Sequence, residues 1–181
     1  ACANLGVASA EGDVIVFLAR DLFPEKNFLR EALKALESDR TIAGVRCYVF
    51  TDLSRLMPPL HSAPVGLHPL VYRKEAFRLA GGFDDHFRSR GDSDLELRIM
   101  ALGLKIVDCS ESRLYHPLRK LTVATLADYT RRHQYEALLV AKHPETPKRL
   151  LGGALTRPMY GSFSPAGIIV TFGTALLALL A

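Results

Sequence analysis

Apolar positions along this chain fall into two rhythms. Val14-Ile15-Val16-Phe17-Leu18 is an unbroken apolar run of strand length. Such a run predicts an interior strand of a parallel sheet, buried on both faces. Phe28, Leu29, Ala32, Leu33 and Leu36 then recur at helical spacing. They predict an amphipathic helix, with Pro24 at its start. Residues 44–50 return to strand character. Between residues 52 and 69, Pro58, Pro59, Pro64 and Pro69 interrupt any period and predict a loop. Leu70-Val71-Tyr72 is a short strand and Lys74–Leu79 a small helix. Leu95, Ile99 and Leu102 mark the buried face of another helix that opens near Asp92. Residues 105–107 and 113–115 predict two short strands, and residues 122–142 a helix that stops before Pro144. Strands alternating with helices predict an α/β sandwich on a mainly parallel sheet. The chain shows no internal repeat and no low-complexity stretch.

Composition narrows the class. A chain of 181 residues holds one domain with a real core. Its 49% hydrophobic and 23% charged content excludes intrinsic disorder. A net charge of +4 is mildly basic and suits a phosphate-bearing ligand or an anionic membrane surface. Nucleic acid is not indicated as a partner, because no basic block carries interleaved aromatics and Trp is absent. Cys2, Cys47 and Cys109 are odd in number and far apart, which fits neither a zinc site nor a disulfide framework. Inert thiols in a reducing compartment are expected.

The densest chemistry lies in Gly81-Gly82-Phe83-Asp84-Asp85-His86-Phe87 and Gly91-Asp92-Ser93-Asp94-Leu95-Glu96-Leu97-Arg98. A glycine turn, an aromatic plug and a group of carboxylates stand directly before an amphipathic helix. The partial positive charge of a helix N-terminus holds such carboxylates ionised and in place. Two readings fit. The segment is a capped surface helix with Asp92 or Ser93 as N-cap, or it presents Asp92 to a cleft on a rigid backbone. Asp94 reads as structural, bracing the turn or pairing with Arg98 four residues on.

From Leu67 to Ile106 the chain resembles the second half of the catalytic domain of family 2 glycosyltransferases, of the GT-A fold. The matching residues are Tyr72-Arg73-Lys74-Glu75-Ala76-Phe77, Gly81-Gly82-Phe83-Asp84, Asp92-x-Asp94-Leu95-x-x-Arg98 and Gly103-Leu104-Lys105-Ile106. Each element is weak alone; their order and spacing carry the resemblance. It extends upstream to Asn4-Leu5-Gly6 and Ala10-Glu11-Gly12-Asp13, and downstream to about His143.

The resemblance implies a GT-A-like α/β sandwich and transfer of a sugar from a nucleotide-diphosphate donor to an acceptor hydroxyl, with inversion. The acceptor would be a glycan, a lipid-linked sugar or a small molecule. Asp92 matches the general base that takes the acceptor's proton, although Gly91 stands where the family usually has Glu. Leu18-Ala19-Arg20-Asp21 matches the Asp-x-Asp motif that holds a divalent cation, Mg²⁺ or Mn²⁺, on the diphosphate. Ala19 replaces the first acidic residue, so Asp21 remains as the metal ligand; its other reading is a turn cap. Arg20 can counter phosphate charge directly. His116 matches a position that in some relatives adds a metal contact, which suits Mn²⁺ better than Mg²⁺; its other reading is a hydrogen bond to a neighbouring loop. Arg131-Arg132-His133-Gln134-Tyr135 loosely resembles the Gln-x-x-Arg-Trp element of processive members, but processive synthesis is not assigned from it. Arg131 is a candidate contact for the diphosphate or an anionic lipid head, or part of a solvated helix face. A second class of function stays open: a non-catalytic sugar- or partner-binding relative, for which Ala19 and Gly91 speak.

Both ends of the sequence bear on organisation. Residues 1–147 are expected to form a partial GT-A domain whose N-terminal, nucleotide-binding portion precedes Ala1. Residues 148–181 are expected to be a linker and a cut-short membrane segment. Residues 158–181 carry no charge and are long enough to cross a bilayer, which takes about 20 residues. A buried hydrophobic tail is the other reading. Lys148, Arg149 and Arg157 flank the run, so a membrane-associated protein with a cytoplasmic catalytic domain is expected.

Overall fold

A computed structural model describes residues 2–51, 67–117 and 122–144. In chain order the elements are α1 (Cys2–Ser9), β1 (Val14–Val16), β2 (Phe23–Pro24), α2 (Phe28–Glu37), β3 (Ile42–Phe50) and β4 (Leu67–Arg73). Then come α3 (Lys74–Leu79), α4 (Gly91–Ala101), β5 (Lys105–Tyr115) and α5 (Val123–Lys142). The five described strands form one sheet in the order β1-β4-β3-β5-β2. Helices cover both faces, as expected of an α/β sandwich.

Strand direction departs from the expectation. Only β3 and β5 run parallel; β1–β4, β3–β4 and β2–β5 are antiparallel. Among the described strands β1 lies at an edge, antiparallel to β4, and not inside a parallel array. An apolar run reports burial on two faces. Direction depends on how the chain returns to the sheet, which periodicity does not encode.

Two cores flank the sheet. Phe28, Ala32 and Leu36 of α2 pack on Val45, Val71 and Leu114. On the other face Val7 of α1, Phe77 of α3, and Leu95 and Ile99 of α4 surround Ile15 and Tyr72. This double coverage explains the near-continuous burial along β3. Leu36 and Leu95 are fully buried; each such side chain contributes about 1.5–3 kcal/mol. The second core needs Gly44, because a Cβ there would stand 2.8 Å from both Tyr72 Cδ1 and Ile106 Cδ1.

Arg73 links elements. Its Nε and one terminal nitrogen donate to the carbonyls of Ile42 and Leu36, at 2.8 Å each. The Leu36 carbonyl belongs to the last turn of α2, which lacks helical partners and favours a cation. The Tyr72-Arg73 pair thus has a structural reason: a core ring, then a cation that joins β4 to α2 and β3.

Several local expectations shift. Pro24 lies in β2, and α2 starts only at Phe28. Leu102 is the C-cap of α4 and 51% exposed, so Leu95 and Ile99 carry the buried face. The two short strands predicted at 105–107 and 113–115 are the ends of one strand. Its pairing with β3 jumps from Cys109 to Arg113, an irregularity that hides its continuity in the sequence. The α1 helix was not anticipated. Cys47 and Cys109 are buried register partners on β3 and β5, and all three thiols are free. Among the described residues no helix is long and apolar enough to cross a membrane. The linker and membrane segment expected in residues 148–181 and residues 52–66 of the proline-rich loop lie outside the described residues, while the last three residues assigned to that loop, Leu67, His68 and Pro69, begin β4 instead.

Candidate active site

The glycine turn is built from α3 outward. Ala80 closes α3, and Gly81 (φ 82°) and Gly82 (φ 70°) follow in the left-handed region that favours glycine. Their N–H groups donate to the carbonyls of Arg78 and Phe77, both at 2.9 Å. A Cβ on Gly82 would also meet Asn4 Oδ1 at 2.9 Å. The turn delivers the Phe83 ring against Phe17 and Phe77, with centroids 4.9 and 5.4 Å away. Two clamps hold it. The Asn4 side chain on α1 donates to Phe83 O at 2.8 Å and accepts from Phe83 N at 2.9 Å. From α4, the Arg98 guanidinium donates to the carbonyls of Ala80 and Gly82.

Asp84 therefore leaves the turn in a fixed place. It accepts from Lys142 Nζ at 2.7 Å, the His86 ring Nδ1 at 2.7 Å and the His86 amide at 3.0 Å. The Lys142 hydrogen bond, with those of His86, holds its carboxyl well below the usual range.

Helix α4 begins at Gly91, and its N-cap is Arg90 in the left-handed conformation (φ 66°) without a side-chain cap. Neither Asp92 nor Ser93 is the N-cap. Asp92 sits half-buried in the first turn, where the helix dipole favours an anion. Its Oδ1 accepts from the Ser93 amide at 2.9 Å. Burial first, and the nearby Asp92 charge next, push the Tyr72 phenol well above its ordinary range. Asp92 thus lies in electrostatic reach of the second core.

Asp94 faces inward and is 0% exposed. Arg98 Nε and a terminal nitrogen reach its Oδ2 at 2.9 and 2.7 Å. Lys142 Nζ and His143 Nε2 each approach its Oδ1 at 2.8 Å. Burial pushes this carboxyl up, but hydrogen bonds from Lys142, Arg98 and His143 more than reverse that effect and leave it lowered. The Arg98 pairing is as expected. Lys142 at the end of α5 and His143 just beyond it were not anticipated as partners, and no local pattern signals a contact 49 residues away.

The Asp21–His116 pair forms where β2 pairs with β5. The antiparallel register sets Phe23 of β2 against Tyr115 of β5. The residues just beyond that pairing meet, and His116 Nε2 stands 3.5 Å from Asp21 Oδ2. The His116 amide donates to Phe50 O, and its ring Nδ1 lies 2.8 Å from Pro117 O. A carbonyl only accepts, so Nδ1 donates to Pro117 O, and Nε2 is the ring nitrogen that faces Asp21. The His116 ring thus bonds the carbonyl of Pro117 and faces the Asp21 carboxylate.

This donor set suits a divalent cation. Two adjacent ligands of an octahedral ion with bonds of about 2.1 Å stand about 3 Å apart, close to the 3.5 Å seen. Among the described residues no group of three His, Cys, Asp or Glu could hold a metal alone. Phosphates can supply further oxygens, as they do for Mg²⁺.

The remaining candidates are dispersed. Ala19 and Arg20 are exposed beside Asp21, and Arg131 is exposed on α5. No contact among the described residues joins Arg131 or Asp92 to the Asp21–His116 pair. A cleft of about 610 Å³ lies behind the glycine turn, lined by Asn4, Lys74, Phe77 and Gly82 among others. It includes none of the candidate residues.

No family model matches the chain. It is 27% identical over 146 residues to an O-antigen chain rhamnosyltransferase of Salmonella anatum, covering 62% of this chain and 44% of that protein. It is 28% identical to a pre-mycofactocin glycosyltransferase of Mycobacterium tuberculosis, covering 97% of this chain and 40% of that protein. The chain thus spans about two-fifths of the length of these curated relatives. Its fold resembles that of a mannosyltransferase from Pyrobaculum calidifontis in complex with GDP-Man and Mn²⁺. The TM-score is 0.54 at 20% identity, covering 96% of this chain and 58% of that one. The chain is therefore GT-A-like in fold and similar in sequence to glycosyltransferases, in line with the family 2 resemblance of its motifs.

Proposed function

We propose that the protein transfers a sugar from a nucleotide-diphosphate donor to an acceptor hydroxyl, with inversion at the anomeric carbon. The observation that carries this reading is the Asp21–His116 pair, 3.5 Å apart. Two residues singled out separately in the sequence, 95 positions apart, meet as a carboxylate and an imidazole nitrogen. They would hold a Mn²⁺ or Mg²⁺ ion, which when bound neutralises the diphosphate leaving group. Arg20 would add a fixed positive charge beside the same phosphates, and Arg131 a second one from α5. Asp92 would take the proton from the acceptor hydroxyl as its oxygen attacks. The membrane location expected from residues 158–181 belongs to the same proposal, with a glycan or lipid-linked acceptor.

Donor binding by the full chain tests the reading. Calorimetry with nucleotide-diphosphate sugars and Mn²⁺ should give binding that His116→Ala and Asp21→Asn each weaken. Metal-independent binding, unaffected by either change, would sink the metal assignment. One observation favours a second reading: Ala19 is exposed where relatives place an acidic ligand. A non-catalytic sugar-binding relative would bind a sugar or its nucleotide without transferring it, so turnover separates the two.

A further inference from the structure

We propose that Lys142, with His143, is a positioning residue that locks the last turn of α5 onto α4 and the glycine turn and so fixes the Asp92 carboxylate. This inference rests on the transfer reading above for its catalytic meaning. The geometry behind it does not.

Lys142 Nζ bridges two carboxylates from separate segments. It reaches Asp84 Oδ2 at 2.7 Å, at the exit of the glycine turn, and Asp94 Oδ1 at 2.8 Å, inside α4. His143 Nε2 meets that same Asp94 oxygen at 2.8 Å. Its amide donates to Leu139 O at 2.9 Å, so α5 is still helical where it grips. Leu139, one turn back on α5, is buried as well. The Lys142 ammonium also lies 5.3 Å from the centre of the Phe87 ring, in the segment joining the turn to α4. One side chain thus touches the turn, the connector and the helix.

The charges balance. Asp84 and Asp94 face Lys142 and Arg98, with His143 and His86 adding donors. Arg98 holds Asp94 from within α4 and grips the carbonyls of Ala80 and Gly82. Without Lys142 the turn and α4 remain joined to each other, and among the described residues His143 is the remaining polar link of this end of the chain to α4. Burial pushes the Lys142 ammonium down, yet Asp84 and Asp94 leave its net pKa raised. It stays charged at neutral pH.

Asp92 is two residues from Asp94 in the same helical turn. Its own structural tie is local, to the Ser93 amide. Long-range polar anchors of that turn run through Asp94, and Glu96, one turn beyond Asp92, pairs with Arg46 of β3. A base loosened by about 1 Å can lose on the order of 10²-fold in rate. The lock therefore acts on Asp92 through the backbone of α4, without touching a substrate.

The test uses the full chain with Lys142→Met and Lys142→Arg. Amide hydrogen exchange comes first, because it needs no activity. In Lys142→Met, exchange in residues 91–95 should rise at least severalfold while α2 stays protected; Lys142→Arg should restore protection. Unchanged exchange at 91–95 overturns the lock, and a uniform rise across all elements reduces it to general stability and also overturns it. If Lys142→Met does not fold, Lys142→Gln, which keeps a donor, gives the same comparison. Turnover comes second. In Lys142→Met, kcat should fall roughly 10–100-fold with donor KM nearly unchanged, and Lys142→Arg should recover most of it. Normal kcat in Lys142→Met overturns the positioning role while leaving the transfer reading intact. A wild type that transfers no sugar, but shows the exchange change, defeats the transfer reading and keeps the lock.

Discussion

Asp92 commits one carboxylate oxygen to its own helix, Oδ1 on the Ser93 amide, and under the proposed transfer Oδ2 would take the acceptor's proton. Asp92→Asn keeps that hydrogen bond, since an amide oxygen also accepts. The fold should survive while turnover falls roughly 10²–10⁴-fold, the scale of a general base. Donor affinity should hold, because the base faces the acceptor. Full turnover in Asp92→Asn, measured beside wild type, would remove Asp92 from that role. Asp21→Asn should behave in the opposite way, weakening donor binding and its metal dependence first. Ala19→Asp should tighten donor binding if a second carboxylate is what the site lacks; no change in affinity would show that His116 already fills that part. These residues were singled out in the sequence because their segments resemble motifs of family 2 glycosyltransferases. Lys142, His143 and Asn4 were not. Their meaning comes from partners 58, 49 and 79 positions away, and separation in sequence carries no signal of contact.

At the scale of elements, the contacts of α5 define a pH window. The carboxyls of Asp84 and Asp94 are lowered in the folded protein. A lowered carboxyl stabilises above its unfolded pKa, about 3.9, and loses that contribution as pH falls through its folded value. Lys142 is raised. Its contribution is complete below the unfolded value of about 10.4 and is lost as pH rises through the folded one. Protection of α4 against amide exchange should therefore be flat from about pH 5 to pH 9, once corrected for intrinsic exchange, and fall away below pH 4. Lys142→Met should show a weaker acid transition at residues 91–95, because Asp84 has lost its main partner. An acid transition identical to wild type would contradict the lock. Packing makes a second demand at this scale. Gly44→Ala drives a methyl to 2.8 Å from the Tyr72 and Ile106 side chains, an overpacking that should cost about 1–3 kcal/mol. Chemical denaturation should report it as a lower midpoint with an unchanged slope; an unchanged midpoint would mean that the core yields there. Nothing in residues 42–50 announced that Gly44 is a packing residue, because a glycine within a strand run looks the same whether a bulge or a ring requires it.

For the whole molecule, the α/β sandwich was readable from alternating periodicity, and the direction of its strands was not. Burial on both faces of β3 reflects helices on both sides, and that condition is met equally by a mixed sheet and a parallel one. The candidate site follows from this topology: antiparallel β2 folds back on β5 and brings Asp21 to His116, a meeting that a purely parallel array would not make in this way. The same reasoning extends to residues 158–181, whose uncharged run follows Lys148, Arg149 and Arg157. An apolar segment of this length gains more from hydrocarbon than from water, since Leu, Ile, Phe and Val each favour the helix centre by about 0.3–0.6 kcal/mol. A charge at its middle would cost about 2.5–3.5 kcal/mol, which cancels several such residues at once. The full chain should remain in the membrane pellet after alkaline carbonate extraction. Ile169→Arg together with Phe172→Arg should move it toward the soluble fraction without affecting donor binding. Wild-type protein recovered in the supernatant would instead place the run against the folded domain, and the double substitution would then lower stability and leave the fractionation unchanged.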